Sequence, residues 1–169
     1  MTILTRRNLL IAGGATIAAA GAALAGGAGL LQRLAGMDEL PPAPVFAVDG
    51  LAIRGIDPVA YFREGRPVAG EAAHEAEWNG ARWRFANAAN RDAFTAEPAR
   101  FAPQYGGFCA WAVAAKGELY STQPENWSIV DGRLYLNFND AIQAKWEADS
   151  PGFIARADRR WPEIIRGLA

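Results

Sequence analysis

Cys109 is the only cysteine in this 169-residue chain and His74 the only histidine, so its candidate chemistry begins with one thiol and one imidazole. Cys109 stands in Tyr105-Gly106-Gly107-Phe108-Cys109-Ala110-Trp111-Ala112-Val113-Ala114-Ala115-Lys116-Gly117. Phe108 to Ala115 favours helix, and Gly117 supplies a left-handed stop. Gly106-Gly107 permits a sharp entry, because glycine takes positive φ at no steric cost. Cys109 is therefore expected in the first turn of a helix, where free N–H groups and the helix dipole stabilise a thiolate and lower its pKa. On that reading Cys109 is a reactive or metal-ligating thiolate. Tyr105, Phe108 and Trp111 shape its pocket, and Gly106-Gly107 present backbone donors. The competing reading is a small buried hydrophobe, because free cysteine is among the most buried residue types and Phe108 and Trp111 flank it.

His74 is the natural partner of Cys109 in a metal or general-base role. It lies in Glu71-Ala72-Ala73-His74-Glu75, a polar stretch that equally suits a solvated surface histidine. One His and one Cys fall short of a four-ligand zinc shell, and no two carboxylates fall at ligand spacing near Cys109. The sequence has no Cys-x-x-Cys, His-Glu-x-x-His, Gly-rich phosphate loop or Gly-x-Ser-x-Gly. Ser121, Thr122 and Ser128 lack a base. Asp57 reads as a helix cap, and Asn79 and Asp131 read as turn residues. Trp83, Trp111 and Trp127 either pack the core or wall a pocket.

The elements that position these residues are short. Val45 to Ile53 alternates weakly around Asp49-Gly50, as a small hairpin does. Asp57-Pro58 starts a helix with Asp57 as N-cap and Pro58 at the first helical position. Asn79-Gly80 suits a type I′ turn between strands, with Trp83 and Phe85 on one face of the second strand and Arg82 and Arg84 on the other. Asn87 caps a helix through Phe94, and Glu97-Pro98 starts another turn carrying Phe101. A second hairpin turns at Asp131-Gly132, with Trp127, Ile129, Leu134, Leu136 and Phe138 expected inward. Asn139 or Asp140 caps a helix that Pro151-Gly152 is expected to end. Pro162 is expected to break the last helical region. Two hairpins with several short helices indicate an α+β fold.

The N-terminus carries an expectation of where such a domain works. Thr5-Arg6-Arg7-Asn8-Leu9-Leu10 precedes an uncharged stretch that runs to Gln32, a pattern that resembles a bacterial twin-arginine export signal. That machinery carries folded proteins. Ala23-Leu24-Ala25 and Ala20-Gly21-Ala22 offer small-x-small cleavage sites. The alternative is a retained anchor over 8–32, long enough for a bilayer that needs about 20 residues but weakened by six glycines. The chain thus divides into a signal or anchor over 1–33, a Pro-rich linker over 34–44 and a domain over 45–169. About 130 to 145 residues remain after the signal, which suits one core. Loss of Arg6 and Arg7 leaves the mature part slightly acidic, which argues against nucleic acid. A single cysteine excludes an intrachain disulfide.

Several motifs occur in order: Gly55-Ile56-Asp57-Pro58-Val59-Ala60-Tyr61-Phe62; Trp78-Asn79-Gly80 with Trp83-x-Phe85; Asn90, Phe94 and Pro98; Pro103-Gln104-Tyr105-Gly106-Gly107-Phe108-Cys109-Ala110-Trp111; and Ile129-Val130-Asp131-Gly132-x-Leu134-Tyr135-Leu136-Asn137. Together they resemble the stand-alone, exported YHS-domain proteins of bacteria, from about Gly55 to Trp161. The resemblance implies metal handling, with a transition metal such as copper as the cofactor. The metal-type pattern carries cysteines where this chain has Ala60 and Ala86, whereas the stand-alone branch centres on the Gly-Gly-x-Cys segment.

Two functions are therefore expected. One is a periplasmic, thiol-based redox or metal-associated role centred on Cys109, with His74 as a second ligand. The other is a non-catalytic binding or accessory module, periplasmic or held at the outer face of the inner membrane, in which Cys109 is core.

Overall fold

The structure is a computed structural model that describes residues 43–168. The signal or anchor expected over 1–33 lies outside those residues, as does all of the linker except Ala43 and Pro44. Among the described residues no helix is long and apolar enough to cross a membrane. The domain is α+β, with six α-helices and two small sheets.

Asp49-Gly50 and Asn79-Gly80 each place two successive residues at φ 52° and 76°, the left-handed turn geometry that matches strand twist. The first joins β1 (Ala47–Val48) to β2 (Leu51–Ala52), and the second joins β3 (Glu71–Trp78) to β4 (Ala81–Phe85). The two hairpins merge into one sheet of order β1-β2-β4-β3, because β2 runs parallel to β4 through Leu51 and Arg82. Trp83 and Phe85 are buried on one face of β4. On the other face Arg84 Nε donates to Glu75 Oε1 of β3 at 2.7 Å.

The third such turn, Asp131-Gly132, joins β5 (Trp127–Val130) to β6 (Arg133–Leu136) as a separate two-stranded sheet. Here simple alternation misplaces two side chains. Ile129 is 36% exposed and Phe138, beyond the end of β6, is 38% exposed. Tyr135, on the opposite face from Leu134 and Leu136, is fully buried. The reason is that β6 runs between two apolar clusters. Leu134 and Leu136 join Val59, Tyr61, Trp83, Phe85, Phe94 and Phe101. Tyr135 joins Tyr105, Val113, Trp146, Ile154 and Ala157. A strand buried on both faces loses the polar half of its alternation.

Helix starts follow their caps. Asp57 accepts from Val59 N–H and Ala60 N–H to open α1 (Pro58–Arg63). Asn87 accepts from Asn90 N–H to open α2 (Ala88–Ala96), and Pro98 begins the single turn α3 (Pro98–Phe101). After α4 (Ala110–Lys116), Asn139 accepts from Ile142 N–H to open α5 (Asp140–Ala148). Two expectations fail in α6 (Ser150–Gly167). Pro151-Gly152 begins this helix, because Asp149 accepts from Gly152 N–H as its N-cap. Pro162 sits inside the helix without ending it. An interior proline costs about 3 kcal/mol. Burial of Ile154, Ala157 and Ile165 on one continuous face offsets that cost.

Candidate functional site

Cys109 is reached through an unusual turn. Tyr105, Gly106 and Gly107 take φ 55°, 64° and 81°, three left-handed residues in succession. Any Cβ at Gly106 would run into the Pro44 carbonyl, and one at Gly107 would come within 2.6 Å of Ile53 Cγ2. Ile53 and Arg54 are themselves left-handed, at φ 41° and 61°. Such residues cost on the order of 1–3 kcal/mol each and persist only where neighbours over-determine them. Phe46 N–H donates to Gly106 O at 2.9 Å, Thr122 Oγ1 to Gly107 O at 2.9 Å and Arg54 Nε to Thr122 O at 3.0 Å. Tyr105 OH is fixed on Asp158 Oδ1 at 2.7 Å.

The turn delivers Cys109 to the N-cap position of α4, not to its first turn, and the sulfur makes no cap hydrogen bond. Its N–H donates to Tyr120 O at 3.0 Å, and it forms a parallel bridge with Leu136. The side chain is wholly buried. Burial pushes the thiol pKa up, while the amides of Ala112, Phe138 and Trp111 face the sulfur and pull it down by less. Burial thus opposes the thiolate reading and favours the competing one, a buried core residue. A helix N-terminus favours an anion only when desolvation does not cost more, and here it does.

Asn137 takes over the capping task. Its Oδ1 accepts from Trp111 N–H at 3.2 Å and from the Cys109 thiol at 3.6 Å, and its Nδ2 donates to Gln143 Oε1 at 2.9 Å. Its backbone N–H and C=O are paired with Asn126 O and Gln123 N. Gln143 Nε2 in turn reaches Ser128 Oγ at 2.8 Å and Glu147 Oε1 at 2.7 Å. Sequence reasoning assigned Asn137 no role at the site. The available signal was an amide placed directly after the apolar run Leu134-Tyr135-Leu136.

Beside the sulfur opens a pocket of about 260 Å³, walled by Trp111, Tyr120, Phe138 and Ile142, with Lys116 as its charged member and Cys109 among its lining. Lys116 Nζ donates to Tyr120 OH at 2.9 Å, and Tyr120 meets Phe138 edge-on at 6.3 Å. Lys145 Nζ lies 5.4 Å from the centroid of the Trp111 ring. Of the residues expected to form a pocket, the structure brings only Trp111 and Cys109 to it. Tyr105 packs on Tyr135 and Trp161, and Phe108 packs on Phe46. The carbonyls of Gly106 and Gly107 serve as acceptors within the turn. Trp83 and Trp127 belong to the first apolar cluster.

His74 lies on β3, where pairing with β4 is irregular between Glu71 and Glu75. Its Nδ1 is buried without a partner, and it does not line the pocket. Among the described residues no group of three or more His, Cys, Asp or Glu side chains could hold a metal ion. The two alanines at the cysteine positions of the metal-type pattern do come together. Ala60 N–H and Ala86 N–H donate to the two oxygens of buried Asp57 at 3.3 and 2.9 Å. Asn90 Nδ2 also donates to Oδ2, at 2.6 Å. That place therefore holds two alanine backbone donors on a saturated carboxylate. Neither it nor the lone thiol fits a thiolate metal centre.

Compared with protein-family models, curated proteins and solved structures, the chain matches none.

Proposed function

We propose that this chain is an exported YHS-like domain acting as a non-catalytic binding module. It holds a small ligand in the pocket between α4, α5 and the Tyr120 segment. The observation that carries the reading is the contrast at one spot. The Cys109 side chain is wholly buried, while its neighbours Trp111, Tyr120, Phe138 and Ile142 leave an open apolar hollow beside it. Packed sulfur and accessible aromatic walls suit recognition better than nucleophilic attack. The domain is preceded by a signal or anchor helix over 1–33. The twin-arginine machinery delivers it folded to the periplasm or to the outer face of the inner membrane, where 8–32 provides any attachment.

A second reading keeps Cys109 as a redox or metal-associated centre. It is supported by the three backbone amides facing the sulfur, which would stabilise a thiolate once the site opened. The two readings separate in one experiment, alkylation of Cys109 in the folded chain and in urea, with metal analysis on the same sample. The binding-module reading expects slow modification in the folded state, fast modification in urea, no stoichiometric metal, and a Cys109→Ala variant that folds and retains the pocket. Fast native alkylation, or bound metal lost in Cys109→Ala, would overturn it in favour of the thiol-centred role.

A further inference from the structure

We propose that the pocket beside Cys109 takes an aromatic anion of one or two rings, with the ring against Trp111 and the acid group on Lys116. The inference rests on the reading of this pocket as a binding site and adds the chemistry of the ligand. Size comes first. About 260 Å³ lies just under the roughly 300–1,000 Å³ of sites for drug-sized molecules, so one or two fused rings are the natural limit. The walls come second. Trp111, Tyr120 and Phe138 are three π-systems from three separate segments, and Ile142 adds an aliphatic side. Aromatic groups prefer such offset or edge-on surroundings. Phe138 is 38% exposed, so a ring seated there covers apolar surface that the chain leaves open.

Charge comes third. Lys116 is the only charged residue in the lining, and no carboxylate joins it there. Its ammonium spends one donor on Tyr120 OH, which leaves two of three for an acid group. Lys145 adds a second positive charge beside the Trp111 ring. The acid that acts on Lys116 is Glu118, which is exposed and outside the lining. A cationic ligand would meet two lysines, and a neutral one would leave Lys116 unused.

The test is titration of the full-length chain with 2-naphthoate and with its neutral analogue 2-naphthamide at low salt. Two signals report binding: tryptophan fluorescence, and protection of Cys109, the chain's single thiol, from slow alkylation. The expected result is that naphthoate binds about two- to fivefold more tightly than naphthamide, the scale of one exposed lysine–carboxylate contact. Lys116→Met should erase that preference, and Trp111→Leu should weaken both. Lys116 is exposed, so its replacement does not threaten folding. Equal binding of the two probes, unaffected by Lys116→Met, overturns the anion assignment and leaves the binding module standing. Failure of both probes to bind or to protect Cys109 overturns the binding module as well.

Discussion

Replacing Asn137 by alanine tests whether one buried amide keeps the thiol closed. The substitution removes the acceptor of Trp111 N–H and of the Cys109 thiol, and the donor to Gln143. Gln143 is half-exposed and regains water, so its loss is small. The Trp111 amide is different. It belongs to the first turn of α4, and a buried donor left unpaired costs about 1–3 kcal/mol. The thiol is a weaker donor, and a small void adds to the cost. A total of about 2–4 kcal/mol follows. Alkylation of a sealed cysteine proceeds through opening, so its rate scales with the opening equilibrium. At 1.4 kcal/mol per factor of ten, native-state alkylation should rise about 30- to 700-fold. The assay is the native alkylation rate beside urea unfolding of the same variant. Asn137→Leu separates the causes, since it fills the void but still leaves the amide unpaired. It should retain most of the acceleration. An Asn137→Ala rate within about threefold of the parent chain would refute the argument that this amide closes the site.

Asp57 accepts four hydrogen bonds while wholly buried. Asp57→Asn keeps the cap through Oδ1 but turns an NH₂ toward Ala86 N–H and Asn90 Nδ2, and should cost about 2–3 kcal/mol in urea unfolding. Tyr135 OH is buried without a partner, so Tyr135→Phe should be neutral or stabilising by up to about 1 kcal/mol, whereas Tyr105→Phe, which breaks the bond to Asp158, should destabilise. Because burial raises the folded Cys109 pKa, the folded state holds its proton more tightly than the unfolded state. That contribution is complete below the ordinary thiol value of about 8.5 and is lost as pH rises through the folded pKa. Stability should therefore fall as pH rises above about 8.5 in the parent chain, and this part of the fall should be missing in Cys109→Ala. Replacing Arg6 and Arg7 by lysine should leave the folded domain in the cytoplasm, as judged by cell fractionation, and normal export of that variant would remove the twin-arginine assignment.

The difference between what was legible in the sequence and what was not follows the range of each interaction. Asn79-Gly80, Asp131-Gly132, the Asp57 cap and the Gly117 stop are decisions of one or two residues, and each appears as read. The local environment dominates there, because positive φ and unpaired first-turn amides demand particular side chains. Two misreadings share a different cause. Pro162 fails to break α6 because the apolar face of that helix has a partner, something a single segment does not reveal. Ile129 and Phe138 turn outward, and Tyr135 inward, because β6 divides two clusters that are far apart in the sequence. Most consequential is Cys109, whose position at the start of α4 was legible while the choice between thiolate and core residue stayed open. The local pattern offers a helix N-terminus, which suits a thiolate, and flanking aromatics, which suit a buried core residue. Asn137, 28 positions away, supplies an acceptor for the thiol, and the surrounding core supplies the desolvation that raises its pKa. Helix-dipole stabilisation amounts to about 0.3–1 kcal/mol in exposed settings, whereas burying an unpaired charge costs several kcal/mol. With those magnitudes the larger, non-local effect decides the state of the sulfur. The pocket beside it was equally hidden, since Trp111, Tyr120, Phe138 and Ile142 converge only after α4 and α5 are set against β6. On the proposed binding reading, recognition belongs to these assembled walls, and the cysteine that draws the eye in the sequence is the floor beneath them.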